Sequence, residues 1–210
     1  MFPPLYAIVD PSLIAVPAAQ LAASLASAGV SLIQLRDKRN SPRLVYHQAR
    51  EMAAQFARSD VRFIVNDRPD IAAMSGAGGV HVGQDDLPVE AARAICPHPL
   101  WVGVSTHNLD QLRAAARTSA DYIAVGPIFP TGTKENPDPV VGVDFLRAAR
   151  LLTRKPLVAI GGITVQSAAD VFRAGADSVA VIRDLLAAPD PASRAREYLA
   201  IAERARAARD

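Results

Sequence analysis

Cysteine is nearly absent. Cys96 is the single one in 210 residues, which excludes an internal disulfide and gives no sign of secretion. One Cys and scattered His also lack the spacing of a His–Cys metal site. There is little excess charge: 23 basic residues face 21 acidic ones, and no Lys/Arg block suggests a nucleic-acid face. Any basic site must be local. Long hydrophobic runs are missing too. The longest are strand-length and cannot span a bilayer, so no membrane partner is expected. The N-terminal stretch MFPPLYAIVDPS has neither a positive n-region nor a long apolar h-region, so it does not read as a signal peptide. A cytoplasmic location is expected. P-loop, dinucleotide and nucleophile-elbow motifs do not occur. No linker or low-complexity segment divides the chain, which reads as one domain over residues 1–210.

What is present is a globular composition, half hydrophobic and 21% charged. Short apolar, β-branched runs alternate with Ala-rich amphipathic stretches. The runs are Leu5–Asp10, Ser31–Asp37, Arg62–Asp67, Gly79–Gly83, Trp101–Thr106, Tyr122–Ile128, Pro156–Gly162 and Ser178–Ile182. Most are almost continuously apolar, as strands covered on both faces are. Between them lie helical patterns at Ala18–Ala28, Arg43–Ala57, Pro69–Ser75, Val89–Ile95, Leu109–Ser119, Val143–Leu152, Val165–Ala174 and Ser193–Ala207. Asn108 and Thr164 stand where N-caps belong, and Pro42 follows Ser41. Eight strand–helix units in strict alternation predict an α/β fold with a parallel sheet. Eight is the barrel number, so a single (β/α)8 TIM barrel is expected, with a doubly wound sheet as the alternative.

The polar residues fall at the C-terminal ends of the apolar runs. In a barrel those ends converge on the face where active sites lie. Gln34, Arg36 and Lys38 alternate and so can share a face. An Arg fork with a compact Lys charge suits a diphosphate, although a solvated strand end carries such charges too. Asn66-Asp67 and Asp85-Asp86 end the third and fourth runs. Carboxylates from neighbouring strand ends can hold one hard cation such as Mg²⁺ together with phosphate oxygens. Their ordinary alternative is a turn or N-cap, which the context favours for Asp85. Thr131-Gly132-Thr133-Lys134 offers hydroxyls, amides and an ammonium to a small anion, or is a surface turn. Gly161-Gly162 ends the seventh run, where barrels bring backbone amides to phosphate. His81 sits inside an apolar strand and reads as a hydrogen-bonded core residue.

The segments QLRDK (34–38), VND (65–67), GVHVGQDD (79–86), GVS (103–105), GPIFPTGTK (126–134) and AIGGI (159–163) resemble, in order and spacing, the motif series of thiamine-phosphate synthases. The resemblance runs from Leu5 to about Leu186. It implies a (β/α)8 barrel enzyme, a transferase that joins hydroxymethylpyrimidine diphosphate to hydroxyethylthiazole phosphate and releases diphosphate. It further implies that Gln34, Arg36, Lys38, Asn66, Ser105 and Lys134 bind the pyrimidine diphosphate. Of these, Arg36, Lys38, Ser105 and Lys134 would be catalytic. Asp67 and Asp86 would hold Mg²⁺, which selects Asp86 over Asp85. Thr131 and Thr133 would contact the thiazole phosphate, with Gly162 and the Ile182-Arg183 loop at its phosphate. One position departs from the pattern: the family usually carries Ser where Arg183 stands. That guanidinium either binds phosphate or turns outward, leaving the backbone amide. The partners implied are small molecules, and a homo-oligomer is compatible with the sequence. Rival readings are a thiazole tautomerase on the same barrel, which would not need the diphosphate grip, a phosphosugar isomerase or epimerase, and a non-catalytic phosphate-binding barrel.

Overall fold

A computed structural model describes residues 1–132 and 138–207. The apolar runs form strands β1 (Leu5–Val9), β2 (Leu32–Leu35), β3 (Arg62–Asn66), β4 (Gly79–Val82), β5 (Trp101–Thr106), β6 (Tyr122–Val125), β7 (Leu157–Ile160) and β8 (Ser178–Val181). Each pairs in parallel with the next, and β8 pairs back onto β1 through Leu5↔Val179 and Tyr6↔Ala180. That closure makes the fold a (β/α)8 barrel and excludes the doubly wound alternative. The surrounding helices are α1 (Ala18–Ser27), α2 (Pro42–Phe56), α3 (Pro69–Ser75), α4 (Val89–Ile95), α5 (Leu109–Ala116), α6 (Gly142–Leu152), α7 (Val165–Arg173), α8 (Arg183–Leu186) and α9 (Pro191–Ala207). Among the described residues no helix is long and apolar enough to cross a membrane.

Local signals set several of these boundaries. The Ser41 hydroxyl accepts from the Leu44 amide with Pro42 at N1, and the Asn108 side chain accepts from the Gln111 amide at 2.9 Å. The α8 turn was not anticipated, because four residues carry no periodic signal. The second run is shorter than its apolar pattern. The Arg36 amide still donates to the Val9 carbonyl at 2.9 Å, but Asp37 then turns the chain by accepting from the Arg39 and Asn40 amides.

Both faces of the strands are buried. The outer face packs on the helices in one continuous apolar layer that includes Leu25, Met52, Phe172 and Tyr198. The inner face fills the barrel with Tyr6, Leu32, Ile64 and Tyr122. Fully burying one such side chain contributes about 1.5–3 kcal/mol. The Tyr122 ring lies across the axis, and a Cβ at Gly103 would sit 2.0 Å from its Cζ, so β5 must carry glycine there. Below it Phe2 stacks on Trp101 at 5.3 Å, and the Arg62 guanidinium lies 4.2 Å from the Trp101 ring centre. These rings fill the lower end, and the cavity described below lies at the C-terminal strand ends.

At that lower end Asp121 and Asp177 act alike. Each precedes a strand and accepts from an amide at the start of the strand before it: Val102 for Asp121 at 2.7 Å and Leu157 for Asp177 at 2.8 Å. Each also pairs with an arginine of a packed helix, Arg93 of α4 and Arg150 of α6. These bonds lock strand register on the face opposite the mouth.

Candidate active site

The strand ends surround a cavity of about 600 Å³. Its floor is a chain of buried polar side chains. Gln34 Nε2 donates to the Tyr6 hydroxyl at 2.6 Å, and that hydroxyl lies 2.9 Å from the Tyr122 hydroxyl. Tyr122 is 3.0 Å from His81 Nδ1, and His81 Nε2 is 2.9 Å from Ser105 Oγ. The amide nitrogen at one end can only donate, which sets a direction. Tyr6 accepts from Gln34, so its own buried proton is satisfied by pointing at Tyr122. Tyr122 then donates to Nδ1, the imidazole presents Nε2–H to Ser105, and the serine proton is available to the cavity. Burial holds both tyrosines well above the ordinary phenol range, so neither phenol ionises. The core reading of His81 stands, since both ring nitrogens are bonded, yet His81 also lines the cavity.

The charged groups form a rim above this floor. Arg36 Nη1 bonds Asp10 Oδ2 at 2.7 Å, while Asp10 Oδ1 accepts from the Ser12 amide and hydroxyl. Asp10 is buried and directly follows β1, so the end of a neighbouring strand orients the Arg36 fork. Lys38 Nζ lies 3.0 Å from Asp67 Oδ2. Asp67 adopts the left-handed region at φ 61°, unusual for a side chain other than glycine, and its amide donates to the His81 carbonyl at 2.7 Å. That strained turn aims its carboxylate at the next strand end. There Asp86 Oδ2 accepts from the Gly83 amide at 2.7 Å. Burial pushes the Asp86 carboxyl above its usual range against the Gly83 bond, and the adjacent Asp67 carboxylate pushes the same way.

Two carboxylates pressed together with one lysine nearby are a donor set that a hard cation would relieve. Oxygen ligands of this kind fit Mg²⁺, which takes one or two carboxylates and completes its shell with phosphate oxygens and water. Among the described residues no three His, Cys, Asp or Glu side chains converge. A cation at Asp67 and Asp86 would therefore need those external oxygens. Asp85 also lines the cavity but is exposed.

The opposite rim comes from the loops after β6, β7 and β8. Thr131, Gly162, Ile182 and Arg183 all line the cavity. The Arg183 guanidinium bends across the mouth, with Nη2 donating to the Gly132 carbonyl at 2.8 Å, instead of turning away from the site. Gly162 has φ 64°, and a Cβ there would meet the Pro130 carbonyl at 2.5 Å and Phe129 Cβ at 2.8 Å. Close packing of the β6 and β7 loops thus demands the glycine. Thr133 and Lys134 lie outside the described residues.

The structure brings Gln34, Arg36, Lys38, Asn66, Asp67 and Asp86 to the same cavity as Ser105, Thr131, Gly162, Ile182 and Arg183. Sequence reasoning assigned no role to Asp10, Tyr6, Tyr122 or His107. His107 lines the cavity, with Nδ1 2.6 Å from the Gly126 carbonyl and Nε2 3.4 Å from Asp138 Oδ2. The available signal for His107 was its place just past β5, beside Ser105. Tyr6 and Tyr122 gave none, because a strand buried on both faces does not reveal which face is inside.

The family model described as thiamine monophosphate synthase matches residues 5–185. A thiamine-phosphate synthase of Koribacter versatilis is 50% identical over 206 residues, covering 95% of each chain. One from Methanospirillum hungatei is 44% identical over 179 residues, covering 85% of this chain and 87% of the relative. Among solved structures, thiamine phosphate pyrophosphorylase from Pyrococcus furiosus superposes with a TM-score of 0.87 at 31% identity, covering 96% of each chain.

Proposed function

The chain belongs to the thiamine monophosphate synthase family, and with that as premise we propose how its barrel mouth performs a synthase reaction. The protein is a transferase of thiamine biosynthesis that couples hydroxymethylpyrimidine diphosphate with hydroxyethylthiazole phosphate, giving thiamine phosphate and diphosphate. The observation that carries the residue assignment is the rim. Lys38 stands beside the facing acids Asp67 and Asp86, with Arg36 on the same cavity, above a hydrogen-bonded floor.

The pyrimidine diphosphate sits on the β2–β5 side. Gln34, Asn66 and Ser105 bind it, and Ser105 offers the proton that the floor leaves available. Arg36 and Lys38 take the diphosphate oxygens, Arg36 as a fork already aligned by Asp10. Lys134, the remaining basic candidate, joins them. Asp67 and Asp86 would hold Mg²⁺, which supplies charge neutralisation for the leaving diphosphate when bound. The bond between the methylene carbon and the diphosphate oxygen breaks with its electron pair leaving on oxygen. The thiazole nitrogen lone pair then forms the new carbon–nitrogen bond. The pyrimidine ring stabilises positive charge on the methylene, so no covalent protein nucleophile is needed. The chain's task is to stabilise departing charge and to position the second substrate. Thr131, Thr133, Gly162, Ile182 and Arg183 hold the thiazole phosphate on the β6–β8 side.

Incubation of the purified protein with Mg²⁺ and both substrates is expected to yield thiamine phosphate and diphosphate, read by chromatography. No product with all three present would refute the synthase reading. Asp67→Ala is expected to remove metal-dependent turnover while the circular dichroism spectrum is retained. Full activity in that variant would remove Asp67 from the site.

A further inference from the structure

Outside the cavity, α9 carries a buried tyrosine whose bonds reach both phosphate-side loops. Tyr198 has no exposed surface, although α9 also carries four arginines and two glutamates. Its hydroxyl lies 2.7 Å from Asp184 Oδ2 and 3.2 Å from the Ile163 carbonyl. Asp184 is the second residue of α8, directly after Arg183, just past the end of β8. Ile163 directly follows Gly161-Gly162 at the end of β7. Both Ile163 and Asp184 line the cavity. Arg194, also on α9, closes the arrangement by donating from Nη1 to both Asp184 oxygens at 3.2 and 3.0 Å. One helix thus grips two loops that are 21 residues apart in sequence, 163 to 184, and that meet at one side of the mouth.

From this we infer that Tyr198, with Asp184, is a positioning residue for the thiazole-phosphate side of the site. It sets the spacing between the β7 and β8 loops without touching substrate. The inference rests on the placement of that substrate given above. A hydroxyl has one proton, shared here between a carboxylate and a carbonyl, with the shorter bond to the charged acceptor. Burial and the bonded carboxylate hold the phenol far above its ordinary range, so it remains a donor at every working pH. A purely structural tyrosine would need one acceptor. A hydroxyl placed between acceptors from two different loops fixes a distance between them, and a phosphate bound by both loops depends on that distance.

Tyr198→Phe keeps the ring in the core and deletes both bonds. Dissociation constants for each substrate, measured by titration calorimetry, provide a readout independent of turnover. The thiazole phosphate is expected to bind about tenfold more weakly, as loss of a charge-assisted bond implies, while the pyrimidine diphosphate stays within about twofold. Asp184→Asn, which keeps side-chain volume, is expected to change binding in the same direction and serves if Tyr198→Phe folds poorly. Unchanged thiazole-phosphate affinity in both variants, equal weakening for both substrates, or no thiazole-phosphate binding by the unmodified protein would overturn the inference. A protein that binds both substrates but forms no product would instead count against the synthase reading alone.

Discussion

Asp86 is held under opposing demands. Its carboxyl must be ionised to hold a cation, yet burial and the neighbouring Asp67 favour the protonated form. A carboxyl whose folded value is raised loses stabilisation as pH climbs through its range, because the unfolded chain ionises more easily. The metal-free protein therefore carries a penalty at neutral pH that is absent well below about pH 4, the ordinary carboxylate value. Asp86→Asn is expected to raise the Tm of the metal-free protein at pH 7 and to leave it unchanged in acid. It should also abolish any Tm increase caused by Mg²⁺. Thermal denaturation with chelator, then with Mg²⁺, checks both. A lower Tm for the variant at pH 7 would show that Asp86 stabilises the fold through its Gly83 bond instead. In the sequence, context favours a turn role for Asp85, and the family resemblance selects Asp86. The Gly83 amide, bonded to Asp86, separates them.

At the scale of elements, the barrel divides its labour between its ends. Polar side chains at the C-terminal strand ends face the cavity, while Asp121 and Asp177 at the other end fix strand register. Asp177→Ala removes an acceptor from the Leu157 amide and leaves Arg150 without its carboxylate. A loss of about 2–3 kcal/mol in unfolding free energy is expected, with kcat and both KM values unchanged, measured by urea denaturation and steady-state kinetics. A change in kcat would mean that register at the lower end is coupled to the mouth. The elements themselves were legible because a two-face-buried strand and an amphipathic helix have different apolar patterns. The short α8 turn and the early end of β2 were not, since each is decided by local hydrogen bonds and not by periodicity.

For the whole molecule, closure between β1 and β8 is the step that makes a site. Tyr6 and Asp10 come from the first strand and its end, and they bond Gln34 and Arg36 from β2 and its end and Tyr122 from β6. Occupying the mouth should therefore stabilise the entire barrel. With Mg²⁺ present, pyrimidine diphosphate at about one hundred times its Kd is expected to add about 2.7 kcal/mol, or roughly 5–11 °C in Tm for a chain of this size. Differential scanning calorimetry measures this directly. No shift at that concentration would mean that the diphosphate does not bind the folded state.

The sequence by itself determined the alternation of strands and helices, the eightfold count and the collection of polar residues at strand ends. These follow from short-range pattern, which a chain carries along its own length. Tertiary structure alone decided which strand face is inside and which carboxylate holds Arg36. When both faces of a strand are buried, the period of two carries no inside or outside label. The partners that complete each polar group then come from distant positions, brought together by closure: Tyr122 for Tyr6, Ser105 for His81 and Asp10 for Arg36.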